Sequence, residues 1–270
     1  MTRGEALLAW YRSAARDLPW RGTADPYLIL VSEVMLQQTQ VARVVPVYQR
    51  FVERFPTVEA VAEARLGEIL EVWRGLGYNI RARRLRDASR IVASEGWPRT
   101  AAGLRRLPGV GPYTAAAVAS IAFGERIPAI DTNVRRVLSR WFGEPLSGAG
   151  LRGAAGGEVA ADAGSWNQAV MDLGATVCRT RDPRCDLCPV ASWCEDPSIY
   201  QPPRRQSAFL GSDRQVRGAV LGSLGPTEWR THAELARSTG HPEARVREAT
   251  ESLSQEGMID TGPRGVRIAR

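Results

Sequence analysis

The chain has 270 residues, 44% hydrophobic and 24% charged, the balance of a globular protein long enough to bury two cores. No apolar run reaches the roughly 18–20 residues that span a bilayer, and Met1 to Glu5 lead into an amphipathic stretch rather than a secretion signal, so a cytosolic protein with no membrane partner is expected. The net charge of +7 suits a polyanionic partner, and all 36 basic side chains are arginine, which leaves no side-chain amine to form an imine with a carbonyl.

In chain order, a first helix is expected over 3–16, ended by Asp17-Leu18-Pro19-Trp20-Arg21-Gly22. Pro26 suits the first turn of a second helix, 26–37. Helical patterns continue over 40–54, 65–75 and 79–94, divided by Phe55-Pro56, by Gly75 with Gly77, and by Gly96-Trp97-Pro98. Two short helices, 101–107 and 112–123, flank Pro108-Gly109-Val110-Gly111. Helix 132–142, an ambiguous Gly/Ala-rich stretch at 147–164 and helix 165–175 lead to the cysteines, with no β-alternation before residue 200. Gln201 to Arg205 reads as a linker. Beyond it, helices at 213–224, 230–239 and 243–256 and a hairpin at 257–260 and 265–269 suggest a small winged-helix-like module.

All four cysteines, Cys178, Cys185, Cys188 and Cys194, fall within 17 residues in a C-x6-C-x2-C-x5-C pattern. Disulfides are disfavoured without a secretion signal. Four thiolates suit tetrahedral zinc and an iron–sulfur cube equally, and the spacing leaves both open.

Upstream, Leu107-Pro108-Gly109-Val110-Gly111-Pro112-Tyr113-Thr114 joins two helices. Glycines around one apolar residue allow a tight turn whose amides, with the next helix's N-terminus, form a phosphate site. Gly109, Val110 and Gly111 are its candidate backbone contacts; the competing role is an ordinary helix–helix turn. The stretch Leu28 to Leu36 is apolar almost all round, as in a buried helix. Glu33 within it is either a carboxyl in an apolar wall, with a raised pKa suited to a general acid, or part of a polar strip beside Ser32. Asp131 opens helix 132–142 at the N-cap position.

Taken together, these strings resemble the helix-hairpin-helix DNA glycosylase superfamily over residues 5–203, and the cysteine loop resembles that of its endonuclease III and MutY branch. The resemblance implies a 4Fe–4S cluster on the four cysteines and a mainly all-α, two-lobed fold. Residues 1–24 with 131–203 would form the iron–sulfur domain, 25–130 a six-helix barrel domain with hairpin 107–114, and 204–270 the winged-helix-like module. Strand-cleaving members carry a lysine after the glycine turn, where this chain has Tyr113.

Residues 32–39, Ser-Glu-Val-Met-Leu-Gln-Gln-Thr, resemble the MutY string whose glutamate protonates adenine, which makes Glu33 the general acid. The same resemblance makes Asp131 the group that meets the cationic sugar, sets Tyr113 near Glu33 and gives Asn133 a part in placing the water. Trp20 and Arg21 match an adenine-pocket stretch, Gln38 and Tyr78 match residues that wedge into the base stack, and Gln168 matches one facing adenine's edge. The competing roles are core for Trp20, helix-end cap for Tyr78 and surface amide for Gln168. Arg81, Arg83, Arg84 and Arg86 either grip phosphates or form a solvated helix face.

The implied protein is a monomeric, monofunctional glycosylase that binds double-stranded DNA containing a mispair. It would hydrolyse the N-glycosidic bond of adenine opposite 8-oxoguanine or guanine in base excision repair. Two departures stand out: MutY proteins typically end in a Nudix-like domain for which 204–270 is too short, and Asn79 replaces an aromatic in the usual Gly-Tyr-Tyr string. Related thymine glycosylases also place tyrosine at the hairpin position, so a mismatch glycosylase taking thymine or uracil opposite guanine stays open. So does a non-enzymatic DNA-binding iron–sulfur regulator, although a pure binder has no use for Glu33, Tyr113 and Asp131 together. The cysteine loop is expected to brace Arg179, Arg181 and Arg184 against DNA rather than to act in the chemistry.

Overall fold

A computed structural model describes residues 1–199, 208–225 and 227–269; the linker expected at 201–205 lies outside them. The chain runs α1 (Arg3–Ala14), α2 (Pro26–Leu36), α3 (Val41–Arg54), α4 (Val58–Glu63), α5 (Leu66–Trp73), α6 (Ile80–Glu95), α7 (Ala101–Leu104) and α8 (Pro112–Phe123). It continues with α9 (Thr132–Trp141), α10 (Gly148–Glu158) and α11 (Ala163–Thr176), then 3-10 turns at Cys185–Leu187 and Ala191–Trp193. The tail holds α12 (Asp213–Ser223), α13 (His232–Thr239), α14 (Glu243–Gln255), β1 (Ile259–Gly262) and β2 (Gly265–Ile268). None of the helices among the described residues is long and apolar enough to cross a membrane.

Each expected helix is present. One was missed: α4, a short element capped by the Thr57 side chain, which accepts from the Ala60 N–H. The ambiguous stretch resolves as α10, although five of its eleven residues are glycine. Burial of Leu151 and Ala155 outweighs that poor propensity.

Contacts sort the chain into two compact units, residues 1–33 with 97–106 and 110–204, and residues 34–96 with 107–109 and 205–270. Residues 25–33, 97–106 and all of 110–130 thus group with the cysteine-bearing part of the chain, and the tail groups with 34–96.

The first unit is built on α11, against which α1, α8 and α9 pack. Ala115 to Ser120 give α8 a run of small buried residues, and a Cβ on Gly164 of α11 would stand 3.0 Å from the Ser120 carbonyl oxygen. The two helices therefore meet backbone to backbone. Trp141 and Trp166 fill the core beside them. Asn167, fully buried, accepts from the Ala129 N–H at 2.8 Å and donates to Ser120 Oγ and the Ile127 carbonyl, each at 2.9 Å. This amide fixes the extended segment that delivers Asp131.

In the second unit α4 and α5 pack on α6, and α3 on α5, with Phe51 edge-on to Trp73. In the tail, α12, α13 and α14 pack on one another. The strands pair antiparallel with Ile259 opposite Ile268, and Arg230 adds a bridge to Val266. Gly265 sits at φ +112°, where a Cβ would collide with the Arg230 carbonyl, so this winged-helix-like turn requires glycine.

Candidate active site

Glu33 lies on α2, whose residues are apolar almost throughout, and is 7% exposed. Its Oε2 has no hydrogen-bond partner. Burial pushes the carboxyl up to about 7; the Tyr113 hydroxyl and the Arg21 charge pull it down, and Asp131 pushes it up. Tyr113, on the first turn of α8, donates to Met171 Sδ at 3.3 Å. Burial, and then the charge of Glu33, hold its phenol well above the ordinary value.

Asp131 is the N-cap of α9. Its Oδ1 accepts from the Val134 N–H at 2.7 Å and its Oδ2 from Asn133 Nδ2 at 3.0 Å. Burial raises this carboxyl too, but the Val134 and Asn133 donors favour its ionised form. Asn133 accepts in turn from Arg136 Nη2 at 2.9 Å. Arg136 reaches on to the Gly174 carbonyl at 2.6 Å and the Cys178 carbonyl at 2.9 Å. A Cβ on Gly174 would stand 2.8 Å from Asn133 Cβ, so glycine permits this approach of α11 to α9.

Trp20 is buried, as a core residue would be. Arg21 pairs with Asp172 at 2.7 Å and stacks 5.9 Å from the Tyr11 ring centroid. Tyr11 donates to Gln168 Oε1 at 2.6 Å. Asp172, fully buried, also takes Arg16 at 2.7 Å. Glu33, Tyr113, Asp131, Asn133, Trp20, Arg21 and Gln168 all belong to the first unit.

The four cysteines line one pocket with Arg140, Trp141 and Val177. Arg140 donates to Cys178 Sγ at 3.2 Å and to the Arg179 carbonyl at 2.8 Å, while Cys194 Sγ donates to the Arg140 carbonyl at 3.4 Å. Burial raises the Cys188 thiol and pushes Cys194 up to about 11, the other cysteines adding to both shifts. Among the described residues no three such side chains are grouped to hold a single metal ion.

In the second unit, Gln38 (φ +58°) and Tyr78 (φ +47°) adopt left-handed backbone that non-glycine residues avoid. Arg81 holds both loops. Its guanidinium donates to the Val34, Met35 and Gln37 carbonyls at 2.9, 2.8 and 2.6 Å. It also reaches the Leu76 and Gly77 carbonyls at 3.2 and 3.0 Å and Thr39 Oγ1 at 3.1 Å. In the hairpin, Gly109 is left-handed, and a Cβ there would stand 2.8 Å from Arg84 Cβ. Val110 is buried. Gly111 caps α8 with Pro112 at its first position, and space is open where the Gly111 Cβ would be.

Residues 31–147 match the HhH-GPD superfamily of base excision DNA repair proteins. A Mycobacterium tuberculosis protein named adenine DNA glycosylase is 42% identical over 270 residues, spanning 94% of this chain and 88% of its own. The chain belongs to the adenine DNA glycosylase family of this superfamily. A match of that extent runs past the catalytic part into the tail, so the winged-helix-like module is no bar to membership. Among solved structures, a thermostable thymine-DNA glycosylase superposes with TM-score 0.67 at 32% identity, over 71% of this chain and 93% of that one. A trapped endonuclease III–DNA covalent intermediate gives TM-score 0.61 at 25% identity, over 73% and 97%.

The arginine run departs from both of its expected roles. Arg81 and Arg86 are buried and only Arg84 of the arginine run is exposed, while Arg83 donates to the Glu256 carbonyl in the tail. The run is thus neither a row of phosphate grips nor a solvated face. Sequence reasoning missed Asp172, Asn167, Arg136 and Arg140. For Asn167 and Asp172 the cue was present: each is a polar residue in the largely apolar α11, as Glu33 is in α2; Arg136 and Arg140 lie among the other polar residues of α9 and carry no such mark.

Proposed function

We propose that this chain is a monofunctional adenine DNA glycosylase of base excision repair that acts on adenine opposite 8-oxoguanine or guanine. The observation that carries this reading is the pairing, in one unit, of a buried carboxyl near neutral pKa with a second carboxyl held by two donors. Two carboxyls in unlike surroundings, one without a partner at Oε2 and one held by two donors, can divide acid and charge-stabilising work.

A base within the stack is out of reach, so the nucleotide must first be extruded. Glu33, protonated near neutrality, gives its proton to adenine N7. The C1′–N9 bond then breaks, and its electron pair leaves with neutral adenine. Asp131 meets the positive charge that develops on the sugar. Asn133 orients Asp131 and the water whose oxygen adds to C1′, with its proton passing to a carboxylate. Tyr113 sits beside Glu33 and steadies the intermediate. Arg21 and Gln168 shape the base pocket. With no lysine in the chain, no imine to the sugar forms and the product is an abasic site with the strand intact.

The cysteine pocket fits a 4Fe–4S cluster on Cys178, Cys185, Cys188 and Cys194. The donor set is all thiol, and the ionisation that crowding opposes is restored by a cationic cluster. The four sulfurs line one cavity. The Arg140 N–H that reaches Cys178 Sγ is the kind of hydrogen bond that tunes such clusters. When bound, the cluster supplies cross-linking of the loop that holds Arg179, Arg181 and Arg184.

The thymine-DNA glycosylase likeness keeps one other reading in view, removal of thymine opposite guanine. Base release from A:8-oxoguanine, A:G, T:G and U:G duplexes separates the two. Adenine should be released from the first two without strand cleavage; release of thymine or uracil alone would overturn the proposal.

A further inference from the structure

Asp172 on α11 is fully buried, and the chemistry above gives it no part. Its Oδ2 accepts from the Arg16 backbone N–H at 3.0 Å. Its Oδ1 accepts from Arg16 Nε at 2.9 Å, from Arg16 Nη2 at 2.7 Å and from Arg21 Nη2 at 2.7 Å. Four N–H groups donated to one carboxyl, with none returned, is the bonding of a carboxylate. It pins the segment that leads from α1 to Arg21. One turn earlier on the same face of α11, Gln168 takes the Tyr11 hydroxyl. The Tyr11 ring in turn lies 5.9 Å from the Arg21 guanidinium carbon. Arg21 is thus held by a charge and by a ring, and α11 fixes both.

The hold on Arg21 matters because of what its charge reaches. It draws the Glu33 carboxyl and the Tyr113 phenol toward their ionised forms. Among the described residues, Arg21 Nε and Glu33 Oε2 are both buried and both without a hydrogen-bond partner. A guanidinium and a carboxyl left to each other in such a place form an ion pair, and the opposite charge stabilises the ionised acid. That pair would strip Glu33 of the proton it must give. Besides Arg21, Glu33 meets the Tyr113 hydroxyl, which favours its ionised form, and the Asp131 carboxyl, which opposes it. Around Asp172 stand Arg16, Arg21 and Tyr11, with Asp162 acting on Tyr11. Arg16 keeps 28% of its side chain exposed, so water shares its charge, whereas Arg21 keeps 14%. Among the described residues Asp172 is the one ion-pair partner of Arg21.

We propose that Asp172 is a positioning residue for base release: it engages Arg21 and so keeps that guanidinium from pairing with Glu33, which leaves the acid its proton. In this role Asp172 transfers no proton and touches no reacting atom; it acts through Arg21. The proposal rests on the adenine-release reading, with Glu33 as the acid.

The test is the pH–rate profile of single-turnover adenine release by the full chain from an A:8-oxoguanine duplex. It compares wild type with Asp172→Asn, Arg21→Gln and the double variant. In Asp172→Asn the guanidinium turns to Glu33, and the alkaline midpoint should fall from about 7 by at least about one unit, the lower range for an adjacent opposite charge. Release at pH 8 should then drop about tenfold against wild type, while at pH 5 the two should agree within about twofold. Arg21→Gln, alone or added to Asp172→Asn, should leave the midpoint at the wild-type value or above, whatever it does to the maximal rate. If Asp172→Asn melts too early to assay, Arg16→Met with Asp172→Asn carries the same prediction, since it leaves one arginine facing the lost charge instead of two. An equal loss at every pH would show damage to the pocket alone and overturn the proposal. So would an unmoved midpoint, or a lowered midpoint that stays low in the double variant. A wild type that releases no adenine, or whose release does not fall above about pH 7, would instead sink the adenine-release reading with Glu33 as its acid.

Discussion

Asn133 donates its side-chain amide to Asp131 Oδ2 at 3.0 Å, and it is the only side chain recorded donating to that carboxylate among the described residues. Its own orientation is set by Arg136, whose guanidinium spans Asn133, Gly174 and Cys178. The Asp131 carboxylate, proposed above to meet the sugar, is therefore tied by two side chains to the backbone of Cys178. Asn133→Ala should slow adenine release about tenfold while leaving stability within about 1 kcal/mol, the worth of one hydrogen bond. Arg136→Ala should lower stability by about 3 kcal/mol, since it strips a buried donor from two carbonyls and an amide. Urea melts and single-turnover rates on the same proteins check both.

The Glu33 carboxyl carries a pH signature. It titrates near 7 in the folded chain, against an ordinary value of 4.5, so between those values the native state binds more protons than the unfolded state. The stability this contributes is full below about pH 4.5 and is lost as pH rises to about 7, a loss on the order of 3 kcal/mol. Glu33→Gln cannot ionise and should remove that slope, making the variant more stable than wild type at pH 8. Wild-type adenine release should fall above about pH 7, as the acid form is depleted. Urea melts at pH 5 and pH 8, with a pH–rate profile, measure both.

Much of this was legible in the sequence because it rests on local signals. Helix starts and stops follow proline, glycine and capping residues, and Glu33 stands out as a charge in the apolar run 28–36. Asp131 shows its capping place through position alone. Pairings across the chain were not legible. Nothing local to Arg81 tells that it will cap the end of α2, and its neighbours Arg83 and Arg84 have the same composition but different burial. Asp172 and Asn167 needed the packing of α11 to acquire partners. The tail's helices were readable from periodicity, yet its contact with Tyr78 through Arg214 spans 136 residues and leaves no trace in either segment.

Arg81 ties together the two loops that carry Gln38 and Tyr78. Burial lowers its pKa to about 10, still charged at neutrality. Lysine has the charge but lacks the fork needed to reach both loops. Arg81→Lys should cost about 2–4 kcal/mol by leaving buried carbonyls without donors, and should weaken binding to a mispaired duplex. Thermal melts and duplex titration check it.

The cluster reading predicts an order of failure. Cys194→Ser should lower iron content and visible absorbance, then melting temperature and DNA affinity, before it affects the chemical step. Arg140 binds both Cys178 and the backbone of Arg179, and neither bond involves Glu33, so losing the cluster should loosen the loop first. A cluster-free protein with normal duplex affinity would contradict the bracing role.

The most direct test of the central claim is single-turnover adenine release by Glu33→Gln from an A:8-oxoguanine duplex, with binding measured in parallel. Binding should match wild type while release falls at least ~10²-fold, the lower bound for losing a general acid. Release at the wild-type rate would show that Glu33 does not deliver the proton.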